Sequence, residues 1–220
     1  MIETIVFDVG ETLTKDDRYW TSWANWLKVP SHTLSVLVGA VVAQGRDGKD
    51  ALKLVSPDMD VESAERAREG AGRGEHIGEA DLYPDVRPAL GALHKLGIRV
   101  VIAGNGTARA AELLRDLDLP ADAVATSGEW GVAKPDPAFF AKVLEVSQAG
   151  PAETLYVGDH PAHDIFPARQ AGLRTAHLRR GPWGHLWAND PAVAEAADCQ
   201  LDSLTVLAAM ISQRAAAVRA

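Results

Sequence analysis

Five short runs rich in branched apolar residues recur along the chain, at Thr4–Asp8, Arg99–Gly104, Ala123–Ser127, Leu155–Asp159 and Leu173–Leu178, and helix-length segments separate most of them. Parallel strands cannot be joined by tight hairpins; each needs a crossover of a dozen or more residues, usually a helix. The alternation therefore predicts an α/β fold: a Rossmann-like parallel sheet flanked by helices. The predicted helices are Val86–Leu96, Thr107–Leu117, Asp136–Val146, a segment beginning near Pro161, and Ser203–Arg214, where Leu204, Leu207 and Ala208 recur at helical spacing before Ile211. Gly97 and Gly172 sit just past two of these segments, as helix-ending glycines do.

Residues 15–80 break the rhythm. Trp20, Trp23 and Leu27 follow helical periodicity, and no strand pattern returns before Leu82. This predicts a small helical unit (15–80) inserted after the first strand of a core made of 1–14 and 81–220, with Glu69-Gly70-Ala71-Gly72-Arg73-Gly74 as a joining segment. Composition narrows the setting. Among 220 residues, 22 Lys and Arg stand against 30 Asp and Glu, for a net charge of −8. That balance argues against a nucleic-acid or anionic-membrane surface. The apolar stretch Leu34–Ala43 is about half the roughly 20 residues a spanning helix needs. Met1 to Asp8 run straight into a strand with no basic head and apolar signal core, and the single Cys199 excludes a disulfide scaffold. The expectation is a soluble, cytoplasmic protein with no nucleic-acid or membrane partner.

In parallel sheets, ligands bind outside the carboxyl ends of the strands, and four such ends carry polar residues. Phe7-Asp8-Val9-Gly10-Glu11-Thr12-Leu13 exposes one carboxylate at the sheet edge, a nucleophile or metal ligand on one reading and a turn cap on the other. Gly104-Asn105-Gly106-Thr107 offers backbone N–H groups, the Asn105 amide and the Thr107 hydroxyl to an oxyanion, or is simply a turn and a helix cap. In Lys134-Pro135-Asp136-Pro137, Asp136 is suited to cap a helix that starts at Pro137. Lys134 is then either a solvated lysine or a cation that neutralises a carboxylate and a bound phosphate. Gly158-Asp159-His160-Pro161-Ala162-His163-Asp164 presents two hard oxygen ligands five residues apart, which suits Mg²⁺, while His160 and His163 make poor zinc spacing and read as rim residues.

With these four segments in this order, the chain resembles the haloacid dehalogenase (HAD) superfamily of hydrolases over nearly its whole length. Asp8, Thr12, Lys134, Asp159 and Asp164 match the family's motif positions, and Leu82-Tyr83-Pro84-Asp85-Val86 is similar to its return from a helical cap. The resemblance implies a Mg²⁺-dependent phosphatase acting on a small phosphorylated metabolite. Asp8 would form an aspartyl-phosphate. Mg²⁺ would be held by Asp8, the Gly10 carbonyl and Asp159, and tuned by Asp164. Lys134 would balance charge, and Thr12, Asn105, Gly106 and Thr107 would contact phosphate. The inserted unit would be a lid that sets substrate choice and excludes water.

Two positions depart from the family pattern. Gly10 stands where phosphatases carry a second Asp, the general acid/base, and such a loss costs about 10²–10⁴-fold; Glu11, one residue on, is the candidate substitute. Gly104 stands where Ser or Thr would touch the phosphoryl group. Two other readings follow: a weak or inactive HAD-fold protein that binds a ligand or partner, and a 2-haloacid dehalogenase, against which the retained Asp159 and Asp164 count. Trp20, Trp23 and Trp26 read as cap core and homodimer packing or, alternatively, as substrate recognition; Trp183 and Trp187 read as overhanging the cap or a subunit contact.

Overall fold

The computed structural model describes residues 1–219, with side chains through Arg214. Its packing divides the chain into two units, one of Met1–Lys15 with Ile77–Ala220 and one of Asp16–His76. The division falls slightly inside the 15–80 boundaries predicted from sequence, because backbone pairing ties those residues to the first unit. Thr14 bridges Leu82, and the Lys15 N–H donates to the Asp81 carbonyl at 2.8 Å.

The first unit holds a six-stranded, all-parallel sheet of β1 (Thr4–Phe7), β2 (Arg99–Gly104), β3 (Ala123–Thr126), β4 (Thr154–Gly158), β5 (Arg174–Leu178) and β6 (Cys199–Leu201), in the order β3-β2-β1-β4-β5-β6. This is the Rossmann-like sheet the sequence predicts, extended by β6, which is too short for its periodicity to stand out. The chain leaves β1 toward β2 and later returns to its other side as β4, so the order reverses at β1, where such sheets open a crevice.

Side chains alternate across the sheet. Ile5, Phe7, Val100, Ile102, Leu155 and Val157 join one buried cluster, completed by Val86, Leu90 and Leu93 of helix Val86–Lys95 and by Leu204 and Leu207 of helix Leu204–Arg219. Val6, Val101, Ala103 and Tyr156 face the other, with Phe139, Phe140 and Val143 of helix Pro137–Ser147. A sheet buried on both faces explains why its strands read as continuous apolar runs. Strand termini differ from the prediction by a residue, and this matters at two of them: Asp8 and Asp159 lie just beyond β1 and β4, outside the ladder. The segment from Pro161 begins with a π-helical turn, Pro161–Ile165, before helix Phe166–Gln170. Helices Gly181–Leu186 and Pro191–Ala196 carry no sequence periodicity that would have announced them.

The second unit consists of helices Asp17–Leu27, Ser31–Val42, Asp50–Val55 and Val61–Gly70. The last runs through Glu69 and Gly70, residues that read from sequence as part of a joining segment. Among the described residues, no helix is long and apolar enough to cross a membrane.

Candidate active site

Three carboxylates and one ammonium meet beyond the carboxyl ends of β1 and β4. β1 and β4 pair in parallel, Phe7 opposite Val157, and the Asp8 N–H donates to the Val157 carbonyl at 2.9 Å, which fixes the backbone as it leaves the sheet. Asp8 is 7% exposed, Asp159 1% and Asp164 0%. The π-helical turn brings Asp164 back over β4 so tightly that a Cβ at Gly158 would collide with its carboxyl group, which is why glycine ends that strand. The His160 N–H donates to Asp164 Oδ2 at 2.9 Å, and His177 Nε2 lies 3.1 Å from the Asp159 carbonyl, each bond holding one side of the turn.

Lys134 is not a surface lysine. Its side chain is 3% exposed, and its Nζ donates to Asp8 Oδ1 and to Asp164 Oδ1, each at 2.5 Å. Burial opposes the ammonium, but Asp164 and Asp8 together push its pKa well above the ordinary lysine range. Burial raises the Asp8 carboxyl, Lys134 draws it back, and the Asp164 charge raises it further. The proton stays on the lysine. Asp136 caps its helix as expected, accepting from the Ala138 N–H at 2.8 Å.

One ligand oxygen each from Asp8, Asp159 and Asp164 lies within 4.8 Å of the others, and all three residues are buried. Three carboxylates against one lysine leave a formal −2, which a divalent cation would cancel. Hard oxygen donors suit Mg²⁺ or Ca²⁺ and not a thiolate- or imidazole-seeking metal. The Thr12 hydroxyl is a further fit: it is buried with no hydrogen-bond partner among the described residues, an acceptor or donor left over for a bound group.

The other predicted contacts are differently engaged. The Asn105 amide, expected to face an oxyanion, grips the Lys134 backbone at both ends, Nδ2 to the carbonyl at 3.0 Å and the Lys134 N–H to Oδ1 at 2.8 Å. It holds the lysine in place. The Gly106 N–H donates to Ser127 Oγ at 3.1 Å, and Thr107 caps helix Ala108–Asp116, its hydroxyl accepting from the Ala110 N–H at 3.0 Å. Of the two readings of Gly104-Asn105-Gly106-Thr107, the geometry displays the turn and cap. Gly104 has its own reason: a Cβ there would lie 2.5 Å from Asp8 Oδ1, so the nucleophile candidate occupies the space a serine or threonine would need.

Gly10 lies in a tight turn after Asp8 and bridges Thr14. Glu11 has φ 54° and is buried, and its Oε2 accepts from the Tyr83 hydroxyl at 2.5 Å. The His160 and His163 rings stack at 4.1 Å, and Trp187 packs on His160 at 4.8 Å, with Trp183 at 6.4 Å. These tryptophans therefore line the core unit beside Asp159. Burial and the neighbouring His163 lower the His160 pKa to about 3, so its ring is neutral. The sequence does not single out Ser127, His177 or Arg180. Their hydrogen bonds cross between strand ends that only the folded sheet brings together.

The comparisons agree with this architecture. A model of the family described as haloacid dehalogenase-like hydrolase matches residues 2–172. Haloacid dehalogenase-like hydrolase domain-containing protein 3 of Xenopus laevis is 35% identical over 96 residues, 43% of this chain and 39% of that protein. The phosphoserine phosphatase of Thermus thermophilus is 33% identical over 106 residues, 46% of this chain and 41% of that enzyme. The chain thus spans about two fifths of the length of these relatives. The crystal structure of a HAD phosphatase from Thermococcus onnurineus superposes with a TM-score of 0.62 at 18% identity, covering 96% of this chain and 98% of that one, a likeness of fold.

Proposed function

The chain belongs to the haloacid dehalogenase-like hydrolase family, and from that premise we propose that it is a Mg²⁺-dependent phosphatase of a small phosphorylated metabolite, with Asp8 as nucleophile. The observation that carries this reading is the convergence of Asp8, Asp159 and Asp164 on one buried point, with Lys134 between two of them.

Phosphoryl transfer asks a protein mainly for positioning and charge stabilisation. Asp8 is held by its backbone bond to Val157 and by Lys134, so one carboxylate oxygen stays directed while the other is available to phosphorus. Attack of Asp8 on phosphorus forms an aspartyl-phosphate as the bond to the leaving oxygen breaks, that oxygen taking its proton from solvent to leave as the alcohol; water then cleaves the acyl-phosphate, releasing inorganic phosphate and restoring Asp8. Lys134 offsets the charge gathered by a carboxylate meeting a phosphate. Asp8, Asp159 and Asp164, with the Gly10 carbonyl, would hold Mg²⁺, which when bound supplies further charge neutralisation and orients the phosphoryl group. Position 10 carries no carboxyl, so the leaving oxygen has no proton donor there. Turnover is expected to be slow by about 10²–10⁴-fold relative to a family member with the second Asp.

The test is hydrolysis of a broad panel of phosphate monoesters by purified protein with Mg²⁺, against Asp8→Asn. Turnover that rises with Mg²⁺ and vanishes in the variant supports the reading. Equal rates for the two proteins refute it. Halide release from a 2-haloacid in the presence of a chelator would instead assign carbon–halogen cleavage, and metal-dependent beryllium fluoride binding without turnover a non-catalytic binding role.

A further inference from the structure

A second buried polar cluster adjoins the site and has no part in the chemistry above. Three segments far apart in sequence meet in it: the turn after Asp8, residues 83–85, and the chain leaving β5. Tyr83 donates its hydroxyl to Glu11 Oε2 at 2.5 Å, and its N–H donates to the Leu13 carbonyl at 3.0 Å. The Arg180 guanidinium lies 4.2 Å over the Tyr83 ring. From there Arg180 Nη1 donates to the Thr12 carbonyl at 3.0 Å and Nη2 pairs with Asp85 Oδ2, which also accepts from the Leu204 N–H at 2.8 Å. Arg180 is 9% and Glu11 6% exposed. Next to Arg180, Gly181 has φ 62°, and a Cβ there would collide with the Glu11 carboxylate. The Glu11 backbone is left-handed at φ 54°, uncommon for a residue with a side chain. Such a conformation persists only where its surroundings over-determine it.

We propose that Tyr83 and Arg180 are positioning residues that lock the turn after Asp8 through the Glu11 carboxylate and the Thr12 carbonyl, with Glu11 the anchor of that lock and not the proton donor missing at position 10. This rests on the reading of Asp8 as nucleophile. The turn between Asp8 and Thr12 is closed by its own backbone, the Glu11 N–H donating to the Thr14 carbonyl at 2.7 Å and the Leu13 and Thr14 N–H groups to the Val9 carbonyl at 2.8 and 3.0 Å. A buried arginine that bonds one carbonyl of the turn and a tyrosine that bonds its acidic side chain brace that closed turn from outside. Burial and the adjoining Glu11 raise the Tyr83 hydroxyl, so the proton remains on the phenol.

The experiment compares wild type, Glu11→Ala, Glu11→Gln, Tyr83→Phe and Gly181→Ala. Mg²⁺ affinity is measured by calorimetric titration, and kcat for a phosphate monoester is measured across pH. Tyr83→Phe, Glu11→Ala and Gly181→Ala are each expected to weaken Mg²⁺ binding by roughly tenfold or more. Glu11→Gln, which keeps an acceptor for the Tyr83 hydroxyl, should recover most of what Glu11→Ala loses, with the pH profile of kcat keeping its wild-type shape. Glu11→Gln falling as far as Glu11→Ala, with one limb of the pH profile gone, would overturn the proposal in favour of proton transfer. Wild-type Mg²⁺ affinity in Tyr83→Phe would overturn it as well. If wild type and Asp8→Asn hydrolyse nothing, the catalytic reading fails while the Mg²⁺ titrations still decide the lock.

Discussion

The Lys134 ammonium lies 2.5 Å from Asp8 Oδ1, closing a gap of 126 residues in sequence. Neither group would be stable at this depth alone, since an isolated buried charge costs several kcal/mol after relaxation. The dependence is unequal: Asp8 pairs with this ammonium, whereas the ammonium has a second carboxylate partner in Asp164. The same nitrogen bonds Asp164, so removing the lysine strands two carboxylates.

Lys134→Met should therefore destabilise the metal-free protein by about 3–5 kcal/mol, the usual cost of breaking a buried ion pair from one side. Saturating Mg²⁺ should return part of that loss, because a cation at Asp8, Asp159 and Asp164 takes over the neutralisation. Urea unfolding with and without Mg²⁺ measures both. Turnover of a phosphate ester should fall at least ~100-fold, as it does when a single charge-stabilising donor is removed elsewhere.

Asp8→Asn should act in the opposite direction on the apo protein. Burial, with Asp164 nearby, raises the Asp8 pKa. A carboxyl whose folded pKa exceeds its unfolded value binds protons better in the native state; its contribution is present in acid and lost as pH rises, so at neutral pH its ionised form weighs against folding. The amide removes that burden. The gain is read as a higher Tm of the metal-free variant at neutral pH. Mg²⁺ should then raise the Tm of wild type more than that of the variant. A lower Tm in metal-free Asp8→Asn would contradict this account.

Gly104→Ala tests whether the glycine at the end of β2 is there to make room. The added Cβ would lie 2.5 Å from Asp8 Oδ1 and 3.1 Å from the Val9 nitrogen, which is fixed in the turn. Asp8 must swing off Lys134 or the backbone must shift, at about 1–3 kcal/mol. The expected outcome is a modest loss in Tm with a larger loss in kcat, since the displaced group is the nucleophile itself. Unchanged kcat would mean that Asp8 has a second productive position.

Asp198 sets an acid limb of stability remote from the site. Its carboxylate accepts from the Thr175 N–H at 2.9 Å and pairs with Arg174 at 2.8 Å, tying the approach to β6 onto β5. Burial pulls its pKa up, but the Thr175 bond and the two arginines, Arg174 and Arg169, bring it below the usual value. A carboxyl with a depressed folded pKa stabilises above its unfolded pKa of about 3.9 and loses that contribution as pH falls through the folded value. Tm measured from pH 6 to pH 3 should fall less steeply in Asp198→Asn than in wild type.

How much of this was legible in the sequence follows from range. The first five strands come from local periodicity; Asp8 and Asp159 are readable because each ends an apolar run, and Asp164 because it stands five residues after Asp159 at the start of a helical segment. Lys134 reads from sequence either as a solvated lysine or as a charge-balancing cation, and spacing alone does not name its partners; only the sheet brings it 2.5 Å from residues 126 and 30 positions away. Asn105 illustrates the converse. Its amide looked free for an anion because nothing local competes for it, whereas the Lys134 backbone, 29 residues on, takes both ends. Glu11 and Tyr83 pair across 72 residues, a contact no spacing rule contains. The short β6 and the π-helical turn at Pro161–Ile165 escape because neither is long enough to carry a period.

Trp23→Ala separates packing from recognition in the inserted unit. Trp23 is fully buried, and the Arg68 guanidinium lies 4.0 Å over its ring while donating to Ser22 Oγ at 2.7 Å. The arginine is itself 4% exposed, so the tryptophan supplies both apolar area and the face that makes a buried cation tolerable. Truncation leaves a large cavity and an arginine without its π-face, for an expected loss of about 3–5 kcal/mol. Because Trp23 and Arg68 account for each other's burial, the variant should melt at lower temperature yet rank a panel of phosphate esters in the same order as wild type when assayed below its melting transition. A reordered ranking would place Trp23 against substrate and reverse its assignment as core.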